Sequence, residues 1–258
     1  MLVTIQTFWL PKAGNSYAEY EDAFWPVESL RGVALSSVRC AIADGATETS
    51  FSAEWARQLT KQWCEARYSH GRWLRSLPAL GGEWLRERNL ESLPWYSEEK
   101  VRSGAYSSLL GVSFFDECPD RGWPARWEAV ALGDSCLSLF RGNELAMTFP
   151  IASSIEFNTR PYLLCSISHE RDSIISNLHI VGGKCRIGDV FYLMTDALAC
   201  WLLSLDEVGQ PAFTYINDIS TQEQFEGLVT SWRADLDHDG RPYLKNDDVT
   251  LVRIHIHE

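Results

Sequence analysis

Acidic residues recur in this chain where apolar runs begin or end. Asp44 follows the run from Leu35 to Ala43 (LSSVRCAIA), Asp134 follows Ala-Leu-Gly, and Asp196 follows VFYLMT of Val190 to Thr195. Asp247 stands just ahead of VTLVRI, and Glu21-Asp22 precedes the apolar pair Ala23-Phe24. The end of a buried strand is a costly place for a carboxylate unless it is paired, hydrogen-bonded or bound to a cation. Several carboxylates converging on one site would repel each other. A hard divalent cation removes that repulsion, and oxygen-only ligands select Mg²⁺ or Mn²⁺ over zinc. Taken singly, each residue also has a simpler reading. Asp44-Gly45 is a turn signal, Asp134 a turn or cap residue, Asp196 the N-cap of a helix, and Asp247 a solvated loop residue.

The elements that must carry these residues are legible in outline. Val3 to Leu10 and Leu35 to Ala43 read as strands. A helix follows, capped by Thr49, Ser50 or Ser52, with Phe51, Trp55, Leu59 and Trp63 as its apolar stripe. A second helical stretch, Trp73 to Leu90, is interrupted by Pro78 and Gly81-Gly82. Strands return at Ala105 to Phe115, Arg126 to Leu132, Ser135 to Arg141 and Leu145 to Phe149, with Gly133-Asp134 as a hairpin turn. Phe149 to Cys165 reads as irregular. Val190 to Thr195 is a buried strand leading into a helix that ends near Leu205. Ser220-Thr221-Gln222-Glu223 reads as a capping box opening a helix with Phe225, Leu228, Val229 and Trp232 on one face. Asp248 to His257 closes the chain as a strand. Many antiparallel strands with helices in two separate pairs predict an α+β layered sandwich.

The bulk properties narrow the classes. The chain has 258 residues, 45% hydrophobic and 22% charged, with a formal net charge of −12. The length and composition predict one globular domain spanning 1–258. A nucleic-acid partner would require a basic footprint, and the overall sign is the opposite. Seven scattered cysteines without a CxxC argue against a disulfide framework or a cysteine zinc site. No signal peptide is visible, and no run approaches the ~18 apolar residues that a membrane helix needs. The expectation is a cytoplasmic protein with no membrane partner.

The ordered set of segments resembles the type 2C (PPM-type) metal-dependent serine/threonine protein phosphatases, as a divergent, bacterial-like member. EYEDAF is similar to that family's N-terminal Glu-Asp motif and AIADGATE to its strand running into Asp-Gly. SGAYSSLLGVSF and VALGDSCLSLFRGNEL resemble its central strands and Gly-Asp-Ser hairpin. GDVFYLMTDAL resembles the strand ending in Ser-Asp-Gly, and NDDVTLVRI the closing Asp-Asn-hydrophobic-Thr motif. The resemblance implies a four-layer α-β-β-α sandwich of two antiparallel sheets flanked by helix pairs. It implies two divalent metal ions, Mn²⁺ or Mg²⁺, with Asp44 bridging them. Asp196 and Asp247 would complete one site, and the Gly45 carbonyl and Glu21, through water, would serve the other. Asp22 would support Glu21, and Asp134 with Asp196 would hold any third ion. Such a pair of ions, roughly 3.5–4 Å apart, acidifies a bridging water and clamps the phosphoryl oxygens. The implied substrate is a phosphoserine or phosphothreonine protein, with a cognate kinase as counterpart.

Several family positions differ. Ala46 stands where a His often follows Asp-Gly, so another group must protonate the leaving oxygen. Tyr17 stands at the phosphate-binding Arg position, with Lys12 as a substitute that lacks the bidentate fork. Ala197 replaces a Gly, and Cys200 replaces the Asp four residues after Asp196, which weakens a third site. Two alternatives therefore stay open: a non-catalytic module that binds phosphoproteins or another partner, and a small-molecule phosphatase. The acidic run Asp235-Leu-Asp237-His-Asp239-Gly240 resembles the start of a calcium loop, but Asn246 stands where a bidentate Glu is needed, and it reads as a solvated turn. His255 and His257 read as surface-strand residues. The helical tryptophans read as core.

Overall fold

The computed structural model describes residues 1–65, 69–88, 95–117, 124–158, 160–236 and 240–258. Cys118 and the centre of the acidic run, Asp237 to Asp239, lie outside the described residues. In chain order the first elements are β1 (Leu2–Leu10), β2 (Ala23–Trp25), β3 (Leu30–Ala34), β4 (Arg39–Ala43), α1 (Ser52–Glu65), α2 (His70–Arg86) and α3 (Trp95–Ser103). Then come β5 (Tyr106–Ser107), β6 (Leu109–Phe115), β7 (Arg126–Leu132), β8 (Cys136–Arg141), β9 (Glu144–Phe149), β10 (Leu164–Cys165) and α4 (Arg171–Asn177). The last are β11 (His179–Lys184), β12 (Asp189–Met194), α5 (Asp196–Glu207), α6 (Ala212–Asn217), α7 (Gln222–Ala234) and β13 (Val249–His257).

Two antiparallel sheets face each other. One has the order β3-β1-β13-β12-β8-β9 and the other β11-β7-β6-β4-β2, with a small β10-β5 pair beside them. Strand alternation divides the apolar side chains between three cores. Val3, Ile5, Ile42, Val112, Leu139, Phe191, Leu193, Val252 and Ile254 fill the space between the sheets. Val190, Tyr192, Met194, Val249 and Leu251 point the other way, onto α5, α6 and α7. Ala41, Ala43, Leu109, Val130 and Leu132 carry α1 and α2 on the outer face of the second sheet. The result is the expected α-β-β-α layering. Because β12 is central and covered on both faces, it is continuously apolar from Val190 to Met194 instead of alternating.

Four local expectations change. Leu35 to Ser37 forms a 3-10 turn, so the strand begins only at Arg39. The α2 helix runs unbroken through Pro78 and Gly81-Gly82, because Trp73, Leu77, Leu80 and Trp84 form a buried stripe along it. That burial outweighs the backbone bond which Pro78 removes. The capping box lies one residue later than expected: Thr221 accepts from the Gln224 amide, and Gln224 reaches back to it. The segment after β9 contains a 3-10 turn at Ser154–Asn158 and the short β10, so it is not wholly irregular.

Candidate metal centre

Strand pairing gathers the acidic residues at one end of the sandwich. Ala23 pairs with Ala43, which brings Asp22 and Asp44 side by side. Met194 pairs with Leu251 on one side and with Cys136 on the other, which brings Asp196 beside the β13 entrance and the Asp134 hairpin. The Thr195 amide donates to the Thr250 carbonyl and the Thr250 amide to the Thr195 hydroxyl, at 3.3 and 3.0 Å. Thr195, not Asp196, is the N-cap of α5, so Asp196 is freed from the capping role its position suggested.

The backbone around Asp44 is held firmly. Its carbonyl accepts from the Ser108 amide at 2.9 Å and the Ser107 hydroxyl at 2.8 Å, and its own amide donates to the Ser108 hydroxyl at 2.9 Å. Gly45 is required by close approach: a Cβ there would lie 2.7 Å from the Glu21 carbonyl oxygen. Glu21 is oriented by the Ser52 hydroxyl, which donates to Oε1 at 2.8 Å. Asp248 joins two loops, accepting from the Lys12 amide at 2.8 Å and the Glu21 amide at 2.7 Å. Asp22 is buried. Its Oδ2 accepts from the Thr250 hydroxyl at 2.7 Å, while its Oδ1 has no hydrogen-bond partner. Arg233 donates to the carbonyls of Pro11 and Asp247 and ties the β13 entrance to the end of β1.

The electrostatics record the crowding. Burial raises the Asp44 pKa well above the carboxylate range, and Asp22, Asp196, Asp134 and Asp247 raise it further. Burial likewise raises Asp22, with Asp248 and Asp196 adding to it against the hydrogen bond from Thr250. Asp134 is pushed up to about 6 by burial first and Asp196 next. Asp196 is raised by burial and Asp247 and opposed by Lys245.

Two ammonium groups stand among these carboxylates. Lys245 Nζ lies 2.7 Å from Asp247 Oδ2 and 3.4 Å from Asp196 Oδ2. Lys12 Nζ lies 3.9 Å from Glu21 Oε2 and 3.4 Å from the Thr47 hydroxyl. Among the described residues, no three His, Cys, Asp or Glu side chains close on one point that could hold a metal ion. The donor set still suits a hard divalent ion: it is all oxygen, its members raise one another's pKa, and a buried Asp22 oxygen is orphaned. Lys12, Glu21, Thr47, Phe51 and Ser52 also line a recess of about 360 Å³ beside the carboxylates.

Of the residues singled out from sequence, Asp22, Asp44, Asp134, Asp196 and Asp247 therefore share one electrostatic neighbourhood. Glu21 and Lys12 pair beside it, tied in through Asp248. Cys200 donates to the Ser154 carbonyl at 3.7 Å. His255 pairs with Val190, and so sits at the strand end opposite the carboxylates. Sequence reasoning missed Lys245, Asp248, Ser52, Thr250 and Arg233. Only Lys245 carried a local signal, a cation two residues before a candidate ligand.

No family model and no curated protein sequence matches the chain. Solved structures do. The Mycobacterium tuberculosis serine/threonine phosphatase PstP/Ppp matches with a TM-score of 0.59 at 13% identity, over 100% of both chains. The catalytic domain of PstP in complex with two manganese ions matches with a TM-score of 0.56 at 18% identity, over 99% of this chain and 100% of that one. Stp1 from Staphylococcus aureus matches with a TM-score of 0.61 at 12% identity, over 100% of this chain and 96% of that one. With its two facing sheets and flanking helices, the chain has the fold of the PPM-type serine/threonine phosphatases.

Proposed function

We propose that this chain is a metal-dependent phosphoester hydrolase acting on phosphoserine and phosphothreonine proteins, with 1–258 as one catalytic domain and a cognate kinase as its counterpart. One observation carries the reading: on a PPM-type fold, Asp22, Asp134, Asp196 and Asp247 lie near Asp44 at one end of the sandwich and, with its burial, raise its pKa. Asp44, Asp196, Asp247, Glu21 and the Gly45 carbonyl would hold the ions, Mn²⁺ or Mg²⁺. When bound, such ions acidify a water and polarise phosphoryl oxygens. The protein's own groups do the rest. Ser52 and Asp248 orient Glu21 and the Lys12 loop. Thr250 holds Asp22. Lys12, on the wall of the recess, offers a positive charge to a phosphoryl group. Among the described residues no helix is long and apolar enough to cross a membrane.

The test is hydrolysis of an aryl phosphate and of phosphopeptides with and without manganese. Asp44→Asn and Asp196→Asn are each expected to abolish the manganese-dependent rate, and unchanged rates would sink the reading. A second reading, a non-catalytic module, is favoured by Lys245 resting on Asp196 and Asp247. A chain that binds phosphopeptides but never turns them over supports that module instead. Including nucleotides and sugar phosphates in the panel separates a small-molecule phosphatase from both.

A further inference from the structure

The acidic cluster contains a cation of its own. Lys245 Nζ bridges Asp247 Oδ2 at 2.7 Å and Asp196 Oδ2 at 3.4 Å, two of the carboxylates proposed above as metal ligands. Its backbone is fixed from both sides. The preceding Leu244 is fully buried among the helices on the outer face of the first sheet, and its amide donates to the Trp232 carbonyl at 3.1 Å. The Lys245 carbonyl accepts from the Asp247 amide at 3.0 Å, and Arg233 holds the Asp247 carbonyl. The stem is thus anchored beside the carboxylates, while the side chain keeps 65% of its exposure against 18% for Asp196. An ammonium so placed can leave for water without unfolding anything. On the other flank, Lys12 stands 3.9 Å from Glu21.

We infer that Lys245 is a tethered counter-cation that occupies the place between Asp196 and Asp247 in the metal-free protein and is displaced when a divalent ion binds, so that it sets the metal affinity of the site. The inference rests on the metal-dependent reading above. Its physical content is competition. A divalent ion approaching Asp196 and Asp247 meets a positive charge that must be moved, and the carboxylates exchange one counter-charge for another. The metal-free fold gains relief from carboxylate repulsion. The consequence is a threshold: the site fills only at cation concentrations that outcompete its own lysine.

The experiment is manganese binding to the full chain, followed by the loss of the free-ion signal in electron paramagnetic resonance at low ionic strength. Wild type is compared with Lys245→Gln and Lys245→Arg. Two ion contacts made by an exposed lysine are each worth a factor of a few, so Lys245→Gln is expected to tighten manganese binding about tenfold. Lys245→Arg keeps the charge and is expected to stay within a factor of about three of wild type. The gap between wild type and Lys245→Gln narrows at high salt, where exposed ion pairs are screened. A second readout needs no metal: in EDTA, Lys245→Gln is expected to lower the unfolding temperature by about 2–4 °C, because Asp196 and Asp247 lose their counter-charge. Equal, finite manganese affinities in wild type and Lys245→Gln overturn the inference and leave the metal reading standing. No binding by either overturns the metal reading and the inference with it.

Discussion

Replacing Asp134 with Asn tests whether burial and the neighbouring carboxylates together disfavour a charge at this position. Burial, then Asp196, lifts its pKa from the ordinary 3.8 to about 6, against its own backbone amide and Lys245. A carboxyl whose pKa is raised by folding favours the fold while it holds its proton. Its contribution is full below about pH 4, fades as the pH rises through about 6, and is gone above that. At pH 8 the ionised group thus costs about 3 kcal/mol relative to its protonated form, and about 2 kcal/mol after allowance for the residual exposure of the site. Asn keeps the shape and never ionises. In EDTA at pH 8, Asp134→Asn is expected to raise the unfolding temperature by about 4–8 °C for a chain of this size. At about pH 3, below both the folded and the unfolded pKa, wild type carries the proton in both states and the two proteins are expected to unfold within about 1 °C of each other. The assay is calorimetry across that pH range. Parallel pH profiles for wild type and variant, or a variant less stable at pH 8, would refute the argument from crowding.

Three further outcomes are expected. Asp248→Asn restores the Asn of the resembled motif yet loses stability by about 1–2 kcal/mol in denaturant unfolding, because one carboxylate oxygen that accepts from the Lys12 or Glu21 amide becomes a donor. Gly111→Ala forces a Cβ to within 2.4 Å of the Trp63 ring, so it is expected to lower the denaturation midpoint by the equivalent of about 1–3 kcal/mol. Arg253→Met strips the donor from the carbonyls of Ile216, Asn217 and Ile219 and from Gln6, and is expected to cost about 3 kcal/mol by the same measurement.

What could be read from sequence follows a physical line. Strands covered on both faces, such as β12, announce themselves as apolar runs, and the acidic residue at each end is then conspicuous. Edge strands do not. In β11 the side chains alternate only between exposed and half-buried, and Gly182 is needed because a Cβ would meet the Trp127 carbonyl at 2.8 Å, a constraint set by a neighbouring strand. The break expected at Pro78 failed because local propensity was outweighed by four buried side chains on one stripe. In the candidate centre, the carboxylates were legible as strand-end residues. Their supports were not, since Asp248 meets Glu21 across 227 positions of sequence and Thr250 meets Asp22 across 228. Such pairings come from sheet register, which no window of sequence contains. Lys245 was visible but unassigned, because a lysine beside an aspartate reads as a solvated surface pair until its partners are known.

The position of β13 has a bearing on how the molecule is made. It lies between β1 and β12, so the sheet is closed in its middle by residues 249–257. Until those residues leave the ribosome, β1 has only β3 beside it and β12 only β8, and each carries an open edge able to recruit another chain. Lys245 and Asp247 arrive with that same strand. A chain lengthened only as far as β12 therefore holds Asp44 and Asp196 without Asp247 or the lysine beside it, and the closing of the sheet brings both in together.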